Sequence, residues 1–392
     1  MQSKCKAMQS NFIRLVFVLI LSNYLIINKA VVSFRYAVFS GTGIAGMAIL
    51  NVLSEYRTLC SLSIAARNYS SEFGNVANFI QLDIFDSLAL EKIIKSFDIV
   101  VIAAGPFHKI NLDIYRICLE SKIVCIDIND NILHYERLMN FKKEFINPYH
   151  GTILSGMGLC PGLTTFMLEF LAEQLEGFAT EAYSRIFFGA GVVSGKASID
   201  NFFESFSRDA LVLSDGCIKK SSSRHFHQKN FSFDASHEDL PLLFFTSSEV
   251  LSLPQALSFK QLKTFDSAFC LQGFPKGLLP LLRHSSFARR ILCQITKNNQ
   301  HKLTESSKKE RMVIVNLTVR NERYQKNCIL RSDSSFRLTG IFCAAMVLSV
   351  INGWVRLTPG VFSFEHLEKK MLPIYDFLCD HGLEIFMENK HE

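Results

Sequence analysis

The sequence predicts an α/β protein, with a Rossmann-type doubly wound parallel sheet joined to a second α+β domain on a mixed or antiparallel sheet. Three observations predict it. The apolar run Phe34–Phe39 leads straight into Gly41-x-Gly43-x-x-Gly46. Apolar strands and amphipathic helices then alternate with short links up to about residue 160, and from Pro161 onward the period changes to strands joined by tight turns.

The first strand and its turn carry the most specific signal. Gly41 permits the tight turn, Gly43 lets the backbone approach a pyrophosphate, and Gly46 lets the following helix pack closely on the strand. The backbone of Gly41, Thr42, Gly43, Ile44, Ala45 and Gly46 is therefore the expected cradle, with phosphates held by free N–H groups at the positive helix end. Ile49, Leu50, Val52 and Leu53 give the next segment a helical apolar face, and Ser61–Ala66 reads as the second strand. An NAD enzyme usually places Asp or Glu about 20 residues past the glycines, on the ribose 2′-OH. Here Arg67 and Asn68 occupy that place. A guanidinium suits a 2′-phosphate because its forked donors grip two oxygens at once, so NADP is expected over NAD.

The same alternation continues. Phe79–Asp83 is a third strand, Asp86 can cap the helix carrying Leu88, Leu90, Ile93 and Ile94, and Asp98–Ala104 is a fourth strand without alternation, as buried parallel strands are. A helix over Ile110–Leu119 follows, then a fifth strand, Ile123–Asp127, another helix, and a sixth strand, Thr152–Ser155. Beyond Pro161, Leu163, Phe166, Met167, Phe170 and Leu171 mark an amphipathic helix and Tyr183–Phe188 a strand. Leu211–Ile218 is a hairpin around Asp215-Gly216, and Met312–Arg320 pairs with Tyr324–Leu330. Residues 221–237 and 301–311 are polar loops, and a helix over Phe336–Ile351 stops at Asn352-Gly353.

The set Ser40-Gly-Thr-Gly-Ile-Ala-Gly46, Ala66-Arg67, Ala103-Ala-Gly-Pro-Phe107, Cys125-Ile-Asp-Ile-Asn-Asp130 and Gly158-Leu-Cys-Pro-Gly-Leu163 resembles the saccharopine dehydrogenase-like oxidoreductases. Gly189–Lys196 and Thr339–Glu365 sit where that family has similar segments, so the resemblance runs over most of the chain from about Val31. It implies that the backbone of Ala104, Gly105, Pro106 and Phe107 lines the nicotinamide side of the cofactor, that Asp83 lies near the adenine, and that the last third returns to cover the cofactor domain. The expected organisation is an apolar extension over 1–30, a dinucleotide-binding domain over 31–160, an α+β substrate domain over 161–335, and a closing helical segment over 336–392.

Candidates for chemistry are fewer. Asp127, Asn129 and Asp130 stand at the carboxyl end of a strand, where doubly wound sheets bind ligands, and Cys160 occupies a matching loop. His108 directly follows the Pro-Phe turn and is placed for proton transfer beside a nicotinamide. Lys196 opens a helix after a glycine-rich link and can hold a substrate carboxylate. The expected catalytic set is His108, Asp130 and Lys196. A nucleotide-triphosphate loop is excluded, because that pattern needs Gly and Ser or Thr where this chain has Ala190 and Ala197. A short-chain reductase is excluded too, since none of the ten tyrosines has lysine four residues later.

The net charge of +6 is spread without a long basic run, which argues against nucleic acid as a partner. The eleven cysteines lack Cys-x-x-Cys or His/Cys ligand spacing, as reduced buried thiols of a cytoplasmic protein without a structural metal would. Residues 12–27 are apolar after a basic start but short for a span of about 20, so membrane contact through them is the less favoured alternative, and a homodimer is left open. The functional expectation is an NADP-dependent oxidoreductase moving a hydride to or from a carbonyl or imine carbon of a small substrate, an amino-acid-derived one among the candidates. The competing expectation is a non-catalytic NADP-binding sensor.

Overall fold

The structure is a computed structural model that describes residues 34–39, 41–56, 60–69, 77–189, 192, 195–221, 230–274, 276–298 and 311–391. The expected N-terminal extension and the membrane contact over 12–27 lie outside the described residues, as does most of the 301–311 loop.

Strand β1 (Phe34–Phe39) is flanked in parallel by β2 (Cys60–Ala66) and β4 (Ile99–Ile102). With β3 (Asn78–Gln81), β5 (Val124–Asp127), β6 (Thr152–Leu154) and β15 (Gly360–Phe362) they form a seven-stranded parallel sheet in the order β15-β6-β5-β4-β1-β2-β3. Chain order reverses between β1 and β4, and the crevice outside the carboxyl ends of these two strands is where such sheets bind ligands. All four residues of β4 are buried, which explains its unbroken apolar run. Helices α1 (Ile44–Leu53), α2 (Ser87–Ile94), α3 (Asp113–Glu120) and α4 (Ile132–Glu144) make the crossovers. Asp86 caps α2 by accepting from the Ala89 N–H at 3.1 Å, and Asn131 caps α4 by accepting from that of His134 at 3.1 Å.

The second sheet is mixed. Its order is β17 (Glu384–His391), β13 (Tyr324–Ser332), β12 (Val313–Arg320), β7 (Glu181–Phe188), β11 (Thr264–Leu271), β8 (Leu211–Ser214), β9 (Cys217–Lys220), with β10 (Leu243–Phe245) also on β11. Only β7 and β11 run parallel to each other. The β8–β9 hairpin turns on Asp215 and Gly216, at φ 54° and 74°, the left-handed pair that a two-residue hairpin needs. Phe231 and Leu240 exchange backbone bonds, so part of the stretch expected as a loop is a small antiparallel arm.

Three helices bind the sheets together. Helix α5 (Leu163–Glu173) is buried at every position from Leu163 to Glu169, α10 (Ser335–Asn352) is buried from Gly340 to Ser349, and α11 (Met371–Asp380) covers the end of α10. Tyr36 and Val38 of the first sheet, Phe166 of α5, Phe342 of α10 and Val315 of the second sheet belong to one continuous apolar core. Helix α10 lies directly on α1: a Cβ added at Gly340 would sit 2.6 Å from the Ala48 carbonyl carbon. The long apolar α10 has the length of a membrane span, but 67% of its window is buried inside the protein. The closing segment, expected as helical, also contains strands: β15 extends the first sheet and β17 the second. Three-residue β15 is too short to show a period of its own, and β17 is held by its partner β13 rather than by local pattern.

Candidate active site

A cavity of about 620 Å³ opens at the switch point between the two sheets. Thr42 to Ala45 of the β1–α1 turn and Ala103 to Phe107 after β4 form one wall. Ile128 and Asp130 after β5, with Leu159 and Cys160 after β6, continue it. The opposite wall comes from Ile186 and Phe188 of β7, Phe245 of β10, and Ser267 to Phe269 and Leu271 of β11. Helix α6 (Lys196–Ser205) contributes Lys196, Asn201, Phe202 and Ser205, and the start of α10 contributes Ser335, Phe336 and Thr339. The sequence reading did not anticipate the residues of β7, β10, β11 and α10.

On the cofactor wall, Gly41 is packed so closely that a Cβ would lie 2.9 Å from Ile64 and 3.3 Å from the Val38 carbonyl oxygen. Gly43, at φ −81°, precedes α1 and makes no side-chain cap; no acidic side chain stands in the first turn. The first-turn N–H groups thus face the cavity mouth uncapped, which fits a phosphate-bearing ligand. Gly46 is buried on α1. Arg67 and Asn68 stand exposed just past β2, and Gln81 of β3 donates to the Arg67 carbonyl at 3.3 Å. Arg67 makes no ion pair among the described residues, and no acidic side chain occupies either position. Asp83 is exposed beyond β3 and accepts from the Phe85 N–H at 3.1 Å.

The Ala103–Phe107 turn meets the substrate side directly. A Cβ at Gly105 would come within 2.9 Å of Ala197 on α6, so glycine is what lets the two walls touch. The Gly105–Pro106 and Cys160–Pro161 peptide bonds are cis. The residues after β6 fold tightly: Gly162, at φ 117°, has Gly158 O only 2.5 Å from where a Cβ would be.

Three acidic groups at the strand ends divide by environment. Asp127 is fully buried and accepts four hydrogen bonds, from Tyr115 Oη at 2.9 Å, Asn129 N at 2.9 Å, Ser155 Oγ at 3.0 Å and Gly156 N at 2.8 Å. Burial raises its carboxyl and these donors oppose the rise; it ties the end of β5 to the end of β6. Glu249 is equally buried and accepts from Thr164 and Thr165, both at 2.7 Å, from Ser247 at 2.8 Å and from the Cys160 thiol at 3.4 Å. Burial and Glu249 together push the Cys160 thiol well above its ordinary range, so Cys160 lines the cavity as a protonated donor rather than a nucleophile.

Asp130 differs because it faces the cavity. Its surface is open, but open to a space walled by protein, and this encirclement raises its carboxyl to about 6, with Asn201 pulling the other way. Asn201 is itself held by the Asn131 amide at 2.6 Å. Lys196 is exposed at the start of α6, makes no ion pair among the described residues, and is the single cation among the described residues that line the cavity. Asp130 is the single anion there.

His108 is not brought to this cavity. It lies in a short 3-10 turn, its carbonyl accepts from Arg137 at 3.0 Å, and burial together with Lys109 lowers its imidazole below the usual range. Asp200 and Glu204 of α6 act on it from nearby, but it is not among the residues that line the cavity with Phe107. Among the described residues, no group of three or more His, Cys, Asp or Glu could hold a metal ion, and the nine cysteines with described side chains form no disulfide.

No protein-family profile and no curated protein matches the sequence. Solved structures do match it in shape. Saccharopine dehydrogenase (L-Glu forming) from Saccharomyces cerevisiae superposes with a TM-score of 0.64 at 12% identity, over 91% of this chain and 100% of that one. An engineered D-amino acid dehydrogenase bound to NADP⁺ follows at 0.44 and 12% identity, over 89% and 99%. Diaminopimelate dehydrogenase from C. glutamicum, in complex with DAP, gives 0.41 at 13% identity, over 89% and 99%. The chain thus has, nearly end to end, the fold of saccharopine dehydrogenase.

Proposed function

We propose that this protein is an NADP(H)-dependent oxidoreductase that moves a hydride between the nicotinamide and a carbonyl or imine carbon of a small molecule. One observation carries the reading. A single cavity is lined at once by the uncapped glycine turn, by the Ala103–Phe107 backbone, and by one carboxyl and one ammonium group, Asp130 and Lys196. When bound, the cofactor supplies the hydride at C4 of its ring.

The protein's own residues do the rest. The Thr42–Ala45 turn holds the pyrophosphate on backbone N–H groups, and Arg67 grips the 2′-phosphate with Asn68 beside it. Ala104 to Phe107 back the nicotinamide, the contact of Gly105 with Ala197 fixing how far α6 stands from it. Lys196 holds the substrate oxygen on which negative charge develops. Asp130, with its carboxyl near 6, gives a proton to that oxygen in reduction and takes it back in oxidation. A sensor that binds NADP without turnover would have no use for this carboxyl.

Calorimetric titration tests the cofactor assignment. NADPH should bind more tightly than NADH, and Arg67→Asp should reverse the order, because it removes a cation and adds a repulsive charge against the 2′-phosphate. Equal affinity for both cofactors in the unaltered protein overturns it.

A further inference from the structure

The wall opposite the glycine turn is aromatic. Phe269 of β11 is met by Phe188 at 6.1 Å, Phe202 at 6.0 Å and Phe245 at 6.2 Å between ring centroids, and all four line the cavity. Ile186 and Leu271 extend the same surface. Phe188, Phe202 and Phe245 are only half-buried, which leaves ring surface open toward the cavity. A carboxylate placed against such a wall loses its hydration and needs a charged partner to replace it. Among the described residues lining the cavity, Lys196 is the one cation available, and it serves the reacting oxygen.

The adjoining space has a different character. A second cavity, of about 670 Å³, shares Asp130, Asn201, Ser205 and Phe245 with the first and is more polar. Of its cations, Arg283 and Lys220 share the one carboxylate of Asp209, and Arg208 lies 3.9 Å from Glu136. Asp130 and Glu204 remain as acids on its wall. It offers an aqueous approach beside Asp130.

We infer that the substrate is an apolar carbonyl compound, a ketone or aldehyde with an alkyl or aryl chain lying on Phe188, Phe202, Phe245 and Phe269, and not an amino-acid dicarboxylate of the kind the matched yeast enzyme's name specifies. The inference rests on the proposed hydride transfer and narrows it. In the reducing direction the hydride from NADPH adds to the carbonyl carbon, the C=O π pair becomes an O–H bond with the proton held on Asp130, and the products are a secondary or primary alcohol and NADP⁺.

Binding of alcohols to the NADPH-saturated protein tests the inference without turnover, because an alcohol cannot react with the reduced cofactor. The probes are 2-alkanols of four to ten carbons, compared with 2-hydroxyglutarate, by calorimetry. The dissociation constant should fall about fourfold for each added methylene until the wall is covered, the ratio expected for transferring one methylene from water. Phe188→Ser and Phe245→Ser should flatten that dependence while leaving the NADPH dissociation constant unchanged, since both lie opposite the glycine turn. A dissociation constant that does not depend on chain length, or 2-hydroxyglutarate binding more tightly than 2-octanol, overturns the inference. The NADPH titration reports on the cofactor assignment separately. Absent NADPH binding with the chain-length dependence intact removes the dehydrogenase reading and leaves the cavity's preference standing. Bound NADPH with a flat alkanol series does the reverse.

Discussion

Asp130 and Asp127 stand three residues apart and are treated oppositely by their surroundings. Four donors surround Asp127 and give it no face toward ligand, whereas Asp130 looks into the cavity with its carboxyl raised to about 6. The direction matters for activity. A raised carboxyl keeps its proton up to about pH 6, so reduction should be fastest below that value and decline above it, while oxidation should rise over the same range. Asp130→Asn cannot deliver or accept the proton. It should lower kcat by roughly 10²-fold or more, as loss of a positioned acid does, and remove that limb of the pH profile while NADPH still binds. An unchanged profile in the variant would assign the proton to another group.

At the scale of elements, the crossing of α10 over α1 couples the closing segment to the phosphate turn. Helix α1 begins at the cofactor turn, and Gly340 rests against the Ala48 backbone, which cannot move aside as a side chain could. Gly340→Val should therefore push the helices apart, costing about 1–3 kcal/mol in urea unfolding, the usual penalty for overpacking a core, and weakening NADPH through the displaced α1. Retention of both wild-type stability and wild-type NADPH affinity would show that this crossing is slack. The β8–β9 hairpin lies at the other edge of the second sheet, its Asp215-Gly216 turn tied to the approach to β11 by Gly216 N donating to the Lys263 carbonyl at 2.9 Å.

Over the whole molecule, what the sequence disclosed follows the range of the interactions involved. The glycine turn, the capping Asp86 and the Asp215-Gly216 hairpin are each set by neighbours within a few residues, and each is readable from those residues alone. Gly105 was legible as part of a motif, but its partner Ala197 was not, since nothing local announces a contact 92 residues away. The aromatic wall was hidden for the same reason: Phe188, Phe202, Phe245 and Phe269 come from four separate elements, and each looks like an ordinary core residue in its own segment. His108 errs in the other direction: closeness in sequence to Phe107 suggested a shared surface, and only Phe107 is on the cavity wall. Because one apolar core joins both sheets, the two halves should also unfold together. The single tryptophan, Trp354, lies just after α10, so its fluorescence and far-UV circular dichroism should trace the same urea transition. Two separated midpoints would show that the sheets are energetically independent.

The order in which a ribosome delivers this chain gives the closing segment a further meaning. Phe342, Met346 and Leu348 of α10 and Ile374 and Leu378 of α11 lie in the core shared by both sheets, yet they follow β1 to β13 in the chain and are made after them. Until they emerge, Tyr36 and Val38 on one sheet and Val315 and Leu317 on the other have an incomplete apolar cover, and β13 lacks the strand that seals its outer edge. Synthesis from the N-terminus thus passes through a half-covered state, open to chaperones and to self-association, until α11 and β17 have left the exit tunnel.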